Sequence, residues 1–87
     1  EGRPPVQLMG HRDLVTALAY APAIELLLSG ARDGTVALWA PPKRTAPLTQ
    51  ARLTGRITHV AWGADDAAQV LRWAATDEHG QVLIGEL

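Results

Sequence analysis

The chain has 87 residues, of which 47% are hydrophobic and 20% charged, and its formal net charge is −1. This composition excludes a disordered tail, and the near-neutral charge excludes the basic surface that binds nucleic acid or anionic lipid. No apolar stretch approaches the length of a membrane span, and the absence of cysteine excludes disulfides and thiolate metal sites. These data leave the compartment open, and a cytoplasmic location is the expectation.

Short apolar runs separated by turn residues occur along the whole chain. In chain order they are residues 6–9, 14–20, 24–29, 35–39, 47–54, 57–62, 70–75 and 81–84. Runs of this length bounded by Gly, Pro and Asp predict β-strands, although residues 26–28 and 70–75 are also compatible with a buried helix. Several runs are apolar at nearly every position, which indicates that both faces of each sheet are covered. The expected fold class is therefore all-β with stacked sheets.

The chain contains an internal repeat. Residues 14–20 align with residues 56–62 at an offset of 42, and residues 33–38 align with residues 79–84 at an offset of 46. About four residues are therefore inserted in the second copy, around positions 63–68. A period in the low forties that contains four strands is typical of β-propeller blades, since most other common repeats are helical or shorter.

Residues 8–39 resemble a WD40 repeat. The resemblance rests on Gly10-His11, on the segment 18–22, and on the segment 28–39 with its Asp33-Gly34 turn and terminal Trp39. A Gly-His pair, an Asp-Gly turn and a Trp at these separations form a specific signature. The resemblance implies an all-β fold made of two four-stranded antiparallel blades of a WD40-type β-propeller. Further copies of the chain, or the rest of a longer chain, would complete the propeller.

In WD40 chains a sequence repeat begins with the outer strand of one blade and continues with the three inner strands of the next. The resemblance therefore assigns residues 1–9 to the outer strand of a preceding blade. Residues 10–54 are expected to form the first blade, with its outer strand near residues 47–54. Residues 55–87 are expected to form a degenerate second blade that lacks its outer strand.

The resemblance implies a structural network in the first blade. WD40 repeats link the His of the Gly-His pair to a Ser or Thr of the second strand, the Asp of the tight turn and the Trp of the third strand. The corresponding residues here are His11, Ser29, Asp33 and Trp39. A carboxylate accepts hydrogen bonds from an imidazole N–H and from backbone N–H groups of the turn. A hydroxyl and an indole N–H satisfy the remaining hydrogen-bonding groups of the network. The second blade has lost the His, and at the other three positions it has Ala75, His79 and Gly85.

The same residue types are compatible with catalysis and with metal binding, which we consider less favoured. His11, Ser29 and Asp33 are the residue types of a hydrolytic triad, but Ser29 lies in a strand run without the glycine pattern of a nucleophile elbow. A small hydrolase that uses His11 and Asp33 is therefore the last-ranked alternative, and no enzyme activity is expected. Metal-ligand residue types at His59, Asp77, Glu78 and His79 need not converge, so neither a metal nor a cofactor is expected.

The expected function is that of a scaffold that binds a protein or peptide. Arg12, Arg32 and Arg56 flank tight turns, where loops gather at a rim, and they are the candidates for contact with such a partner.

Self-assembly is the second expectation. Two blades leave two apolar faces and a strand edge uncovered. If the chain is the whole protein, we expect a closed homo-oligomeric ring of three or four two-blade units, in which residues 6–9 are donated to a neighbour. The alternative is a purely structural or engineered propeller unit that binds only itself.

Overall fold

The chain folds into two antiparallel β-sheets. The computed structural model describes residues 4–41, 43–65 and 70–87, with side chains at all of them except positions 64, 65 and 70. Sheet 1 contains, in spatial order, β1 (Val15–Ala21), β2 (Leu26–Ala31), β3 (Thr35–Trp39) and β4 (Thr49–Arg52). Sheet 2 contains β5 (Ile57–Asp65), β6 (Val70–Asp77) and β7 (Val82–Glu86).

The described residues contain no helix, and therefore none that is long and apolar enough to cross a membrane. The runs at residues 26–28 and 70–75 are both strands. The all-β prediction is confirmed, with four strands in sheet 1 and three strands in sheet 2.

One predicted strand, residues 6–9, is not a strand in the single chain. A backbone hydrogen bond joins Met9 N to Thr45 O at 3.2 Å, but these residues take no place in either sheet. A strand exists only through the hydrogen-bonded ladder that it forms with a neighbour. The edge of sheet 1 next to β3 is already occupied by β4, so residues 6–9 lack a ladder partner there.

The two sheets repeat each other in register as well as in sequence. A β-bulge interrupts the β1–β2 ladder after Val15, and the same irregularity interrupts the β5–β6 ladder after Ile57, 42 residues later. Beyond the bulge, residue 17 pairs with residue 30 in sheet 1, and residue 59 pairs with residue 76 in sheet 2. The offset is thus 42 in the first strand and 46 in the second, as the sequence alignment predicts.

The change of offset comes from a longer hairpin in sheet 2. The β1–β2 ladder ends at the pair Ala21–Leu26, whereas the β5–β6 ladder continues beyond the equivalent pair through residues 64–71 and 65–70. Two further pairs add four residues, which accounts for the predicted insertion. The tip of this hairpin, residues 66–69, lies outside the described residues.

Sheet 1 and sheet 2 pack face to face around a shared hydrophobic core. Its buried members are Leu28, Val36, Leu38, Ile57, Trp73 and Ala75. Gly30 marks the closest approach, because a Cβ atom at this position would overlap the side chain of Ile57. The absence of a side chain there allows β2 to lie directly against the start of β5.

Two side-chain hydrogen bonds align the sheets along their edges. Thr16 Oγ1 donates to the main-chain oxygen of Ile57 at 2.5 Å, and Trp62 Nε1 donates to the main-chain oxygen of Ala19 at 3.0 Å. These contacts show that β1 and β5 run in the same direction, so equivalent loops of the two sheets lie at the same end. Since β1 and β5 are edge strands, the bonds also satisfy carbonyl groups at the sheet edges.

Candidate functional site

Ser29 is the centre of a buried hydrogen-bond cluster in sheet 1. It lies in β2 with 2% of its surface exposed, and its Oγ accepts the indole N–H of Trp39 at 2.8 Å. The Nε2 atom of His11 lies 2.5 Å from the same oxygen. The imidazole also packs on the indole of Trp39, with ring centroids 5.9 Å apart. Ser29 therefore connects the loop before β1 to the last residue of β3.

Asp33 lies in the β2–β3 turn beside this cluster. Its Oδ1 accepts the backbone N–H of Thr35 at 3.0 Å, and Gly34 between them has a φ of 91°. The direct His11–Asp33 hydrogen bond that the resemblance implies is not formed, and the Asp33 carboxylate is bonded to its own turn instead. His11 Nδ1 is buried and has no hydrogen-bond partner in the part of the chain that the structure describes. The structure thus joins three of the four residues directly and leaves Asp33 as their neighbour.

The electrostatics of the cluster favour a neutral imidazole. Burial lowers the pKa of His11, and the Asp33 carboxylate opposes this shift only in part. The hydrogen bond from Thr35 N lowers the pKa of Asp33, against the opposing effect of its partial burial. A neutral imidazole has one acceptor nitrogen, so the Ser29 hydroxyl can donate to His11 while it accepts from Trp39.

Sheet 2 has a different network at the equivalent turn, centred on Asp77. The residue is only 4% exposed, and its carboxylate accepts three backbone N–H groups, from Gly55 at 2.9 Å, His79 at 3.1 Å and Gln81 at 2.8 Å. Burial alone would raise the pKa of Asp77, but the three amide donors outweigh it, and the pKa lies below its usual value. Asp77 therefore connects the β4–β5 loop to the β6–β7 turn, where sheet 1 uses His11 and Ser29.

Sequence comparison missed Asp77 because it places His79 opposite Asp33. The carboxylate stands two positions earlier in the second repeat, yet it accepts turn amides as Asp33 does. A residue-by-residue alignment compares the residue types at equivalent positions. It does not detect a carboxylate that makes the same kind of hydrogen bond from a different position. The available signal was local, since an Asp three residues before a turn glycine can accept the N–H groups of that turn.

Trp73 fulfils the packing role of the Trp that β7 lacks. It pairs with Gly85 across the β6–β7 ladder, and a Cβ atom at Gly85 would overlap the indole ring. The equivalent pair in sheet 1 is Leu27 with Trp39. An indole therefore occupies the same cross-strand pair in both sheets. The third strand supplies it in sheet 1 and the second strand supplies it in sheet 2, where Gly85 leaves the space that the ring needs.

The three arginines predicted to contact a partner lie at one end of both sheets. We call this end the turn rim; it contains the loops before β1 and β5 and the turns after β2 and β6, residues 10–14, 32–34, 53–56 and 78–80. Arg12 and Arg56 are exposed there. Arg32 is exposed too, but its guanidinium forms an ion pair with Asp13 at 2.9 Å.

Arg52 is a further rim residue that the sequence analysis missed. It ends β4 and pairs with Thr35 at the start of β3, which places it at the turn rim. With Arg12 it flanks an open cleft of about 520 Å³, whose lining also contains Gly10, Asp33, Thr35, Gln50 and Ala51. The rim end of β4 escaped detection because only the ladder with β3 brings it beside the loop before β1.

The residue types considered for metal binding do not gather. His59 lies on β5, whereas Glu78 and His79 lie in the β6–β7 turn, where the Asp77 carboxylate binds backbone N–H groups. Among the described residues, no group of three or more His, Asp or Glu side chains is placed to hold a metal ion.

Comparisons with known proteins agree with this fold. Residues 2–40 match the family model "WD domain, G-beta repeat", and the resemblance to a WD40 repeat is confirmed over this segment. No curated protein matches the chain. Among solved structures, the computationally designed Ika4 protein is similar, with a TM-score of 0.72 over 94% of this chain and 24% sequence identity. The chain spans 46% of the length of that structure, and the likeness shows a shared fold.

Replacement of Ser29 by Ala is expected to lower the free energy of unfolding by about 1–3 kcal/mol, because the buried indole and imidazole lose their common partner. Trp39→Phe removes the indole N–H, which is one of the two groups that bond to Ser29. Ser29→Ala should therefore cost less in the Trp39→Phe background than in the unmodified chain. Urea unfolding of the four proteins measures this coupling, and fully additive losses would contradict it.

Acidification is expected to destabilise the fold partly through Asp77. Its pKa in the folded state is depressed, so its contribution is complete above the unfolded-state value of about 3.9 and is lost as the pH falls through the folded-state value. Asp77→Asn should lower stability at neutral pH, and the difference from the unmodified chain should shrink as the pH falls below about 4. Thermal melts across this range measure it. Glu86→Gln, which changes an exposed ion pair, is the control and should have a small effect at every pH. A pH-independent effect of Asp77→Asn would contradict the assignment.

Proposed function

We propose that the chain is a non-catalytic scaffold segment of a β-propeller whose turn rim binds a protein or peptide. The proposal rests on one contrast. Ser29, which resembles a catalytic residue, is buried and bonded to Trp39 and His11, whereas Arg12 and Arg56 are exposed at the turn rim. WD40 repeats in general form non-catalytic surfaces for protein interactions.

The contacts of Ser29 argue against the hydrolase alternative. Its Oγ already accepts the indole N–H of Trp39 and contacts His11, and the side chain is buried. A catalytic serine must reach a substrate carbonyl, and its His must be oriented by a third group. Asp33 instead binds the backbone of Thr35. The cluster is suited to fixing the distance between β1, β2 and β3.

The cleft at the turn rim indicates the chemistry of the partner. Arg12 and Arg52 flank it, and Asp33 is the acidic residue of its lining in the part of the chain that the structure describes. Guanidinium groups bind carboxylates through paired N–H donors, and arginine is frequent among residues that dominate interface energies. A peptide segment that contains Asp or Glu therefore fits this rim best.

Self-assembly by strand exchange is a second proposed function, and the free edge of sheet 2 favours it. Among the described residues β7 has no outer neighbour, whereas β3 is paired with β4. Alignment of Gly10 with Gly55 makes residues 4–7 the equivalent of β4 at an offset of 45. Residues 4–7 of one copy, instead of the predicted residues 6–9, would therefore pair with β7 of another copy.

The hydrogen-bond pattern of β4 supports this pairing. Leu53 donates its N–H to Gly34 O at 2.8 Å, and donors in an antiparallel ladder alternate, so Gln50 is at a position that does not donate to β3. Pro5 is the equivalent of Gln50, and its missing N–H is not needed there. Val6 falls at a donor position, and only Pro4, at the end of the segment, would forfeit a bond.

Peptides selected on the chain from a random displayed library are expected to be rich in Asp and Glu. Arg12→Ala and Arg52→Ala, at the two residues that flank the cleft, should each weaken their binding by about tenfold, as the loss of a charge-assisted contact predicts. Arg44→Ala is the matched control, because Arg44 lies in the β3–β4 connection, at the opposite end of β3. Calorimetric titration measures the affinities. Equal affinities for all three variants would refute binding at the turn rim.

Proline at position 6 is expected to weaken self-assembly by about tenfold, because it removes one ladder N–H at each junction. Proline at position 7 is the matched control, since residue 7 is equivalent to Arg52, at a non-donating position of the ladder. Light scattering across a dilution series gives the dissociation constants. Equal weakening by Val6→Pro and Gln7→Pro would contradict strand exchange in this register.

A further inference from the structure

The two uncovered faces of the molecule are the two halves of one interface. We infer that a second copy of this chain docks its sheet 1 on sheet 2, in the same arrangement that joins sheet 1 and sheet 2 within the chain. This inference rests on the proposed propeller scaffold and specifies which surfaces and residues its copies use.

The uncovered face of sheet 1 carries large apolar side chains. Leu18 is 63% exposed and Tyr20 is 52% exposed, and both lie on β1 with their side chains on the face directed away from sheet 2. The repeat offset of 42 makes Val60 and Trp62 their equivalents. In sheet 2 these equivalents pack against the core shared with sheet 1.

The uncovered face of sheet 2 shows the converse relation. Val82 is 61% exposed and Ile84 is 65% exposed, and both lie on β7. Their equivalents at an offset of 46 are Val36 and Leu38, which are only 1% and 4% exposed because sheet 2 covers them. The face that is buried in sheet 1 is therefore the one that is bare in sheet 2.

These relations determine the orientation of the contact. We call the face that carries Leu18 in sheet 1 and Val60 in sheet 2 the Leu18-type face, and the face that carries Val36 in sheet 1 and Val82 in sheet 2 the Val36-type face. Within the chain, the Leu18-type face of sheet 2 packs on the Val36-type face of sheet 1. The chain leaves uncovered a Leu18-type face on sheet 1 and a Val36-type face on sheet 2. A second copy that presents sheet 1 to sheet 2 reproduces the observed packing, whereas contact between two identical faces does not. The junction is therefore head to tail.

The edge hydrogen bonds carry over to this junction. Tyr20 has a phenolic O–H where Trp62 has the indole N–H that donates to Ala19 O, so its acceptor would be the main-chain oxygen of Ala61 in the second copy. Thr58 is the equivalent of Thr16. Its Oγ1 lies 3.2 Å from Thr76 O, as Thr16 Oγ1 lies 3.3 Å from Gly30 O.

Thr16 makes one further contact that Thr58 lacks among the described residues. Thr16 donates to Ile57 O, the first residue of β5. The equivalent acceptor for Thr58 is the main-chain oxygen of Val15 at the start of β1, which a second copy would bring within reach. Both ends of the junction thus have a donor and an acceptor at equivalent places.

The new junction differs from the internal one in two ways. Thr76 replaces Gly30 at the closest approach, and the smaller Val15 replaces Ile57 opposite it, which compensates in part for the added volume. At the other end of the sheets, the exposed Arg72–Glu86 ion pair gives the face of sheet 2 a polar margin, as the rim of a protein interface usually has.

The test uses two variants that each block one face. Leu18→Asp blocks sheet 1, and Ile84→Asp blocks sheet 2. Neither side chain lies in the shared core, so both variants should keep the circular dichroism of the unmodified chain. Each variant alone is expected to be monomeric, and an equimolar mixture should form a heterodimer through the one intact pair of faces. Ile24→Asp, in the β1–β2 connection, is the control and should assemble like the unmodified chain.

Light scattering and calorimetric titration of the mixture decide the outcome. Tyr20→Phe in the Ile84→Asp variant should weaken the heterodimer by about fivefold, the effect of one hydrogen bond. Dimers of a single variant that also carries Val6→Pro, which removes the strand exchange, would show pairing of identical faces and overturn the inference. A mixture that stays monomeric would also overturn it, and would indicate that these faces accept only blades of a longer chain. The pair Tyr20→Asp and Val82→Asp repeats the test if a first variant unfolds.

Peptide binding by the monomeric Ile84→Asp variant separates this inference from the proposed function. Retained peptide binding with no heterodimer would leave the turn rim as a binding site and remove only the head-to-tail junction. A heterodimer without peptide binding would support the junction and remove the rim.

Discussion

A β-sheet with two apolar faces is stable only when both faces are covered, and the rest of this structure depends on that constraint. Sheet 1 and sheet 2 supply this cover to each other on one side, where Leu28, Val36 and Leu38 meet Ile57 and Trp73. The other side of each sheet keeps side chains such as Leu18 and Ile84 more than half exposed. Burial of apolar surface is the main stabilising contribution in so short a chain, so the open faces define both its stability and its associations.

Side-chain hydrogen bonds give each sheet a defined geometry, by two different routes. Sheet 1 uses a side-chain cluster in which Ser29 connects His11 with Trp39. Sheet 2 uses one buried carboxylate, Asp77, that accepts three backbone N–H groups. In both cases the loop before the first strand is tied to the sheet, which shows that the second repeat has replaced its network and has not lost it.

The contrast between residues that hold the strands together and residues at the strand ends explains where we expect a partner to bind. Ser29 and Asp77, which hold strands together, are buried and hydrogen-bonded, so they offer little to a partner. Residues at the ends of the strands are placed by the rigid sheets but are not needed to stabilise them, as Arg12 and Arg52 illustrate on either side of the cleft. A scaffold of this kind can change its rim while its sheets remain the same.

The sequence by itself determined the fold class, the repeat and most of the strands, because these depend on local patterns of apolar and turn residues. It also singled out His11, Ser29 and Trp39, which the structure brings into contact. Other features depended on pairing across a ladder. Trp73 fills the place of a missing indole because it faces Gly85, and residues 6–9 are not a strand in the single chain, where they have no ladder partner. Tertiary structure alone decided these points, since proximity between strands is not encoded at any single position of the chain.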